Sequence, residues 1–208
     1  MTMKRPLASL TLVAAFAAVS VLASSALAQA PQTVRLRGVI EKVDGNTLTA
    51  KTDKGDEIKI NLADKMLIVD VVKASLADIK DGAFIGSGAM PQPDGSQKAI
   101  EVHIFAESMR GTGEGFRQWD GAPNSTMTNG TVGTTVTGVD GPVITVKFKD
   151  GEKKIVVTPD VPIVRFEIGD ISAVKPGAAF TVVAAVKQPD GSFGINRINV
   201  GRDGVVPR

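Results

Sequence analysis

Residues 92–96 read Gln92-Pro93-Asp94-Gly95-Ser96, and residues 188–192 read Gln188-Pro189-Asp190-Gly191-Ser192. Each copy lies between two runs that read as short strands, 83–90 and 99–105 around the first and 178–187 and 194–200 around the second, and earlier in each half 47–52 and 57–62, or 143–149 and 154–158, alternate apolar with polar residues. Alternation with a period of two is the mark of a half-buried strand. Pro and Gly between such runs make a hairpin, because Pro fixes φ and Gly supplies the positive φ of a tight turn.

Other landmarks keep the same order and nearly the same spacing. Val43-Asp44-Gly45 returns 96 residues later as Val139-Asp140-Gly141, Lys54-Gly55-Asp56 aligns with Asp150-Gly151-Glu152, and Phe84 aligns with Phe180. The stretch LADIKDG at 76–82 aligns with ISAVKPG at 171–177. This self-similarity predicts a duplicated module. Each copy opens with three expected strands, at 34–43, 47–52 and 57–62 in the first and at 134–139, 143–149 and 154–158 in the second. A less regular stretch follows, then one helical turn for which Ser75 or Asp170 suits the N-cap.

The expected fold class is therefore all-β, with two tandem five-stranded OB-like β-barrels and one short helical turn in each. The first barrel is expected at 33–106, a Gly-rich linker containing Trp119 at 107–131, the second barrel at 132–203 and a tail at 204–208. The motifs Gly38-Val39, Val43-Asp44-Gly45, Leu48-Thr49-Ala50, Ile79-Lys80-Asp81-Gly82 and Asp94-Gly95 resemble those of the exported bacterial family catalogued as domain of unknown function 5666. The second half resembles it at Val139-Asp140-Gly141 and Val174-Lys175-Pro176-Gly177. The tandem arrangement with its linker is also similar to alphaproteobacterial hypothetical proteins sometimes labelled metal-transporter permeases. The resemblance implies an exported OB-like fold and no particular chemistry.

Residues 1–28 have the parts of a secretory signal: Lys4 and Arg5, an apolar run rich in Leu, Val and Ala, and small residues ending in Ala26-Leu27-Ala28. Cleavage after Ala28 and a periplasmic location are expected, with no membrane span once the signal is removed. An uncleaved anchor is the alternative, disfavoured because Ser20, Ser24 and Ser25 interrupt the run and no basic cluster follows it. Removing Lys4 and Arg5 from the 24 basic residues leaves 22, equal to the 22 acidic ones. The formal charge of +2 thus belongs to the leader, and with it the case for nucleic acid as a partner. With no Cys, neither disulfides nor a lipidated N-terminal Cys contribute.

The linker carries the unusual vocabulary, with the only Trp of the chain. Arg110, Glu114, Phe116, Arg117, Trp119 and Asp120 are the candidate binding residues, since Trp and Arg are enriched where binding energy concentrates. The same residues could instead serve as glue between the barrels. Gly111-Thr112-Gly113-Glu114-Gly115 lacks the preceding strand and following helix of a phosphate-binding loop. The single histidine, His103, shares a strand face with Glu101, and Glu107 would extend the row into a His-carboxylate metal site. The expected arrangement is instead that Glu101 and His103 face solvent, with no metal and no cofactor. The expected function is a non-enzymatic binding or accessory module for an envelope protein or a small ligand. A structural envelope protein, or a metal-handling one, is the alternative.

Overall fold

A computed structural model describes residues 32–208. The expected leader lies outside the described residues. Among those residues no helix is long and apolar enough to cross a membrane.

The described chain is nearly all β, as expected. Its twelve strands are β1 (Thr33–Asp44), β2 (Thr47–Thr52), β3 (Glu57–Ala74), β4 (Phe84–Pro91), β5 (Gln97–Phe105), β6 (Gly115–Trp119), β7 (Ser125–Gly138), β8 (Gly141–Phe148), β9 (Gly151–Val156), β10 (Ile163–Ile168), β11 (Ala179–Lys187) and β12 (Phe193–Gly201). Single 3-10 turns stand at Leu76–Asp78 and Ile171–Ala173, where the sequence places them, and a third at Glu107–Met109. Ser75 and Asp170 start the first two. The Ser75 backbone N–H donates to Asp78 at 2.8 Å, and Asp170 accepts from the Ser172 N–H at 2.9 Å.

The paired Gln-Pro-Asp-Gly-Ser turns form alike. Asp94 accepts from the Ser96 N–H and hydroxyl at 3.0 and 2.7 Å, and Asp190 from those of Ser192 at 2.9 and 2.6 Å. Gly95 and Gly191 take φ of +83° and +86°, a region that side-chain-bearing residues avoid.

The strands form two rings. In ring one the order is β1-β2-β3-β12-β11, with β11 returning antiparallel to β1 and β12 lying parallel to β3. In ring two it is β7-β8-β9-β5-β4, with β4 antiparallel to β7 and β5 parallel to β9. Each ring takes three strands from one expected barrel and two from the other. The contiguous boundaries 33–106 and 132–203 are corrected accordingly. The physical reason is the length of β3: its 18 residues, bulged between Leu62 and Leu67, still extend about 50 Å. It therefore runs past ring one, and β4 begins in ring two.

The linker boundary moves as well. The polar stretch from Ser125 to Gly130 belongs to β7, where it pairs with β4 on one side and with β6 on the other. Its side chains are largely buried, and Thr126 donates to Gln97 Oε1 at 2.7 Å.

Three apolar clusters follow from this pairing. Leu36, Ile40, Leu48, Ile60, Phe180 and Ile198 fill ring one; Ile85, Val102, Ile104, Val132, Ile144 and Ile155 fill ring two. Burying side chains of this size stabilises by roughly 1.5–3 kcal/mol each. The third cluster joins Val69 and Val71 of β3, Phe166 of β10, Phe84, Phe105 and Met109. Val205 of the tail packs against it, and the Thr181 hydroxyl donates to the Pro207 carbonyl at 2.9 Å, so the tail at 204–208 is docked.

Candidate functional site

Strand alternation decides which side chains leave the cores. On β5, Val102 and Ile104 point into ring two, which turns Glu101, His103 and Phe105 outward. On β12, Ile198 and Val200 point into ring one, which turns Arg197 and Asn199 outward. Between these strands run β3 and β10, so the two outward rows lie on one continuous sheet. They flank a cleft of about 370 Å³ with Phe166 on its floor.

The floor is aromatic. His103 stacks on Phe166 with centroids 4.9 Å apart and planes 27° apart, and Phe105 meets Phe166 edge-on at 5.3 Å. The linker provides a wall. Strand β6 adds to β7, and Arg117 and Trp119, two residues apart, share its inner face. Trp119 is buried because its indole lies on the bare backbone of Gly88 and Gly121, where a Cβ at either position would collide with the ring.

Four guanidinium groups line the cleft: Arg35, Arg117, Arg197 and Arg208. Two carboxylates answer them. Asp120 accepts from Arg35 Nε at 2.8 Å, and Glu101 lies 3.9 Å from Arg208 while bonding to His103. Arg197 donates through Nε to Asn199 Oδ1 at 3.1 Å, and Arg117 through Nη1 to the Gly113 carbonyl at 2.6 Å. Both of those acceptors are neutral. Burial pushes the Arg197 pKa down; burial first, and then the like charge of Arg35, does the same to Arg117. At Glu101 burial opposes the charge, but the attraction and hydrogen bond of His103, helped by Arg208 and Arg37, hold the carboxyl below its usual range. The cleft therefore concentrates uncompensated positive charge over an apolar floor.

Of the six candidates named from sequence, Arg117, Trp119 and Asp120 reach the cleft. The other three brace the linker instead. Arg110 pairs with Glu107 at 2.5 and 2.7 Å, donates to the Gly82 carbonyl at 2.9 Å and lies 5.9 Å from the Phe84 ring centre. Glu114 accepts from the Lys149 N–H at 3.0 Å, and Phe116 stays exposed beneath the Lys153 ammonium at 4.4 Å.

The expectation that Glu101 and His103 face solvent is overturned: they are 4% and 6% exposed. The Phe166 ring stacks on His103 and Arg208 of the tail reaches Glu101, so the outer face of β5 is covered by side chains from neighbouring segments. Glu107 is committed to Arg110 and does not join them, and among the described residues no three His, Cys, Asp or Glu side chains gather as a metal site would require.

Sequence reasoning missed Arg35, Arg197, Asn199, Arg208, Phe105 and Phe166. One signal was present. Glu101-Val102-His103 and Arg197-Ile198-Asn199 lie 96 residues apart, so matching outward positions carry opposite charge. No family model, curated protein or solved structure matches this chain.

Proposed function

We propose that this protein is a non-enzymatic, exported binding module of the bacterial cell envelope, whose cleft holds a small anionic ligand. The leader at 1–28, cleaved after Ala28, would deliver it to the periplasm, and the repeated motifs reflect duplication of an OB-like module whose last two strands were exchanged between copies. One observation carries the binding reading: four guanidinium groups converge on one cleft against two carboxylates, and among the described residues two of the four have only neutral partners. Hydrogen bonds from an ionised donor to an anion are roughly twice as strong as neutral ones. Such a pair of arginines, partly dehydrated and without a carboxylate, is stabilised by an anion arriving between them.

The alternative, a structural protein locked by its linker, draws on the wedging of Trp119 against Gly88 and Gly121 and on the Arg110 brace. Calorimetry of the exported protein against a panel of organic and inorganic anions separates the two. Binding of an anion, weakened roughly tenfold or more by Arg197→Gln, supports the binding module. Absence of binding across the panel, with Trp119→Ala unfolding the protein, supports the lock.

A further inference from the structure

The lining of the cleft says more about the ligand than its charge. We infer that the ligand is an organic anion with a flat, apolar body, of which an aryl carboxylate is the simplest representative; this rests on the anion-binding reading above. The head would be met by Arg197. Its Nε is fixed by Asn199 at 3.1 Å, which orients the planar guanidinium, and its two Nη groups have no carboxylate partner among the described residues. That is the fork geometry that receives a carboxylate through two parallel bonds. Arg117, held at its far side by the Gly113 carbonyl, offers the second positive charge.

The body would be met by rings. Phe105 and Phe166 present their remaining exposed surface to the cleft beside His103, and Trp119 forms the wall next to Arg117. An inorganic anion or a small hydrophilic acid would engage the guanidinium groups and leave this apolar surface in water. An aromatic body removes it from water, at roughly 25 cal/mol per Å² of apolar surface covered. The cleft, about 370 Å³, stands near the lower end of the roughly 300–1,000 Å³ found for small-molecule sites. That size admits one or two fused rings. The remaining charges agree: with Arg35 committed to Asp120 and Arg208 beside Glu101, the excess is two guanidinium groups, enough for one carboxylate and too few for a polyanion.

The test uses the exported protein and four probes: 2-naphthoate, its neutral analogue 2-naphthamide, acetate and inorganic phosphate. Binding is read by calorimetry and by the emission of Trp119, the only Trp, which lines the site. The expected result is 2-naphthoate binding roughly tenfold or more tightly than the other three. Arg197→Gln and, separately, Arg117→Gln each reduce it; Arg117 sits on the added hairpin, outside both cores, so its variant remains informative if Arg197→Gln fails to fold. Phe166→Leu weakens naphthoate about threefold more than it weakens acetate. If acetate or phosphate binds as tightly as naphthoate, the aromatic inference is overturned while the anion reading stands. If naphthamide equals naphthoate, or no anion binds, both fall.

Discussion

Ring one and ring two follow the same strand order but close differently. In ring one, β12 stays parallel to β3 over eight residue pairs, from Phe193 opposite Ile60 to Gly201 opposite Val71. In ring two, β5 meets β9 only at Gln97–Ile155 and Lys98–Val156, then leaves it for β10. The cause is two prolines. Where ring one has the unbroken β3, ring two has Thr158-Pro159-Asp160-Val161-Pro162, and Pro has no N–H to continue a ladder. The rings differ again at their edges: β6 pairs with β7, whereas among the described residues β1 pairs only with β2 and β11. One ring is closed by a single strand, β3, across a bulge between Leu62 and Leu67, and the other ladder passes from β9 to β10; the cleft lies against the latter.

The most drastic way to break the comparison is to divide the chain between Gly121 and Ala122. Each fragment then holds three strands of one ring and two of the other, so neither closes a barrel. Expressed alone, each should lack a cooperative thermal transition by circular dichroism, a loss of the whole folding stability, typically about 5–15 kcal/mol; mixing the fragments should restore it. A cooperative melt by either fragment alone would contradict the strand exchange.

A local substitution should distinguish the rings next. Gly88→Val drives a branched side chain into the Trp119 indole, and overpacking of this kind costs about 1–3 kcal/mol. Ala184, 96 residues later, is exposed in ring one, and Ala184→Val should stay within about 0.5 kcal/mol in the same denaturant titration. Equal losses would mean that the indole does not rest on Gly88 as described.

The smallest effect is electrostatic. Glu101 is held below its unfolded value, so on acidification the unfolded chain takes up the proton first. Its contribution is present in full above the unfolded carboxylate range, near pH 4.3, and is lost as the pH falls through the lower folded-state value. Glu101→Gln should flatten that part of the stability profile between pH 7 and 3. Arg197→Gln, at the matching position of ring one, should leave its slope unchanged.

Local chemistry was legible in the sequence and choice of partner was not. The Gln-Pro-Asp-Gly-Ser hairpins, the alternating strands and the turns begun by Ser75 and Asp170 all depend on neighbours within a few residues. Which ring β4, β5, β11 and β12 complete depends on where β3 delivers the chain, and the alternation is satisfied equally by either ring. The same limit governs the site. Arg117, Trp119 and Asp120 stood out by residue type in an irregular stretch. Arg197, Asn199, Glu101 and His103 sit at outward strand positions, which read as solvent-facing until the second ring is placed against them. Ser125 to Gly130 looked like loop because Thr, Asn and Gly dominate it, yet pairing on both edges satisfies its backbone and makes it strand.

The nesting of the rings along the chain also fixes an order of assembly. All five strands of ring two lie between Phe84 and Val156, whereas ring one joins Thr33–Thr52 and the start of β3 to strands that end at Gly201. As the polypeptide is synthesised, ring two has its full complement once β9 has emerged, while β1 to β3 wait for the last two strands to be made. Contacts between segments so distant in sequence form slowly, because the intervening chain must be ordered before they are gained. The N-terminal strands are thus among the first made and the last secured, and the cleft, which needs Arg35 from β1 as well as Arg197 and Arg208 from β12 and the tail, comes into being only after those later segments have been made.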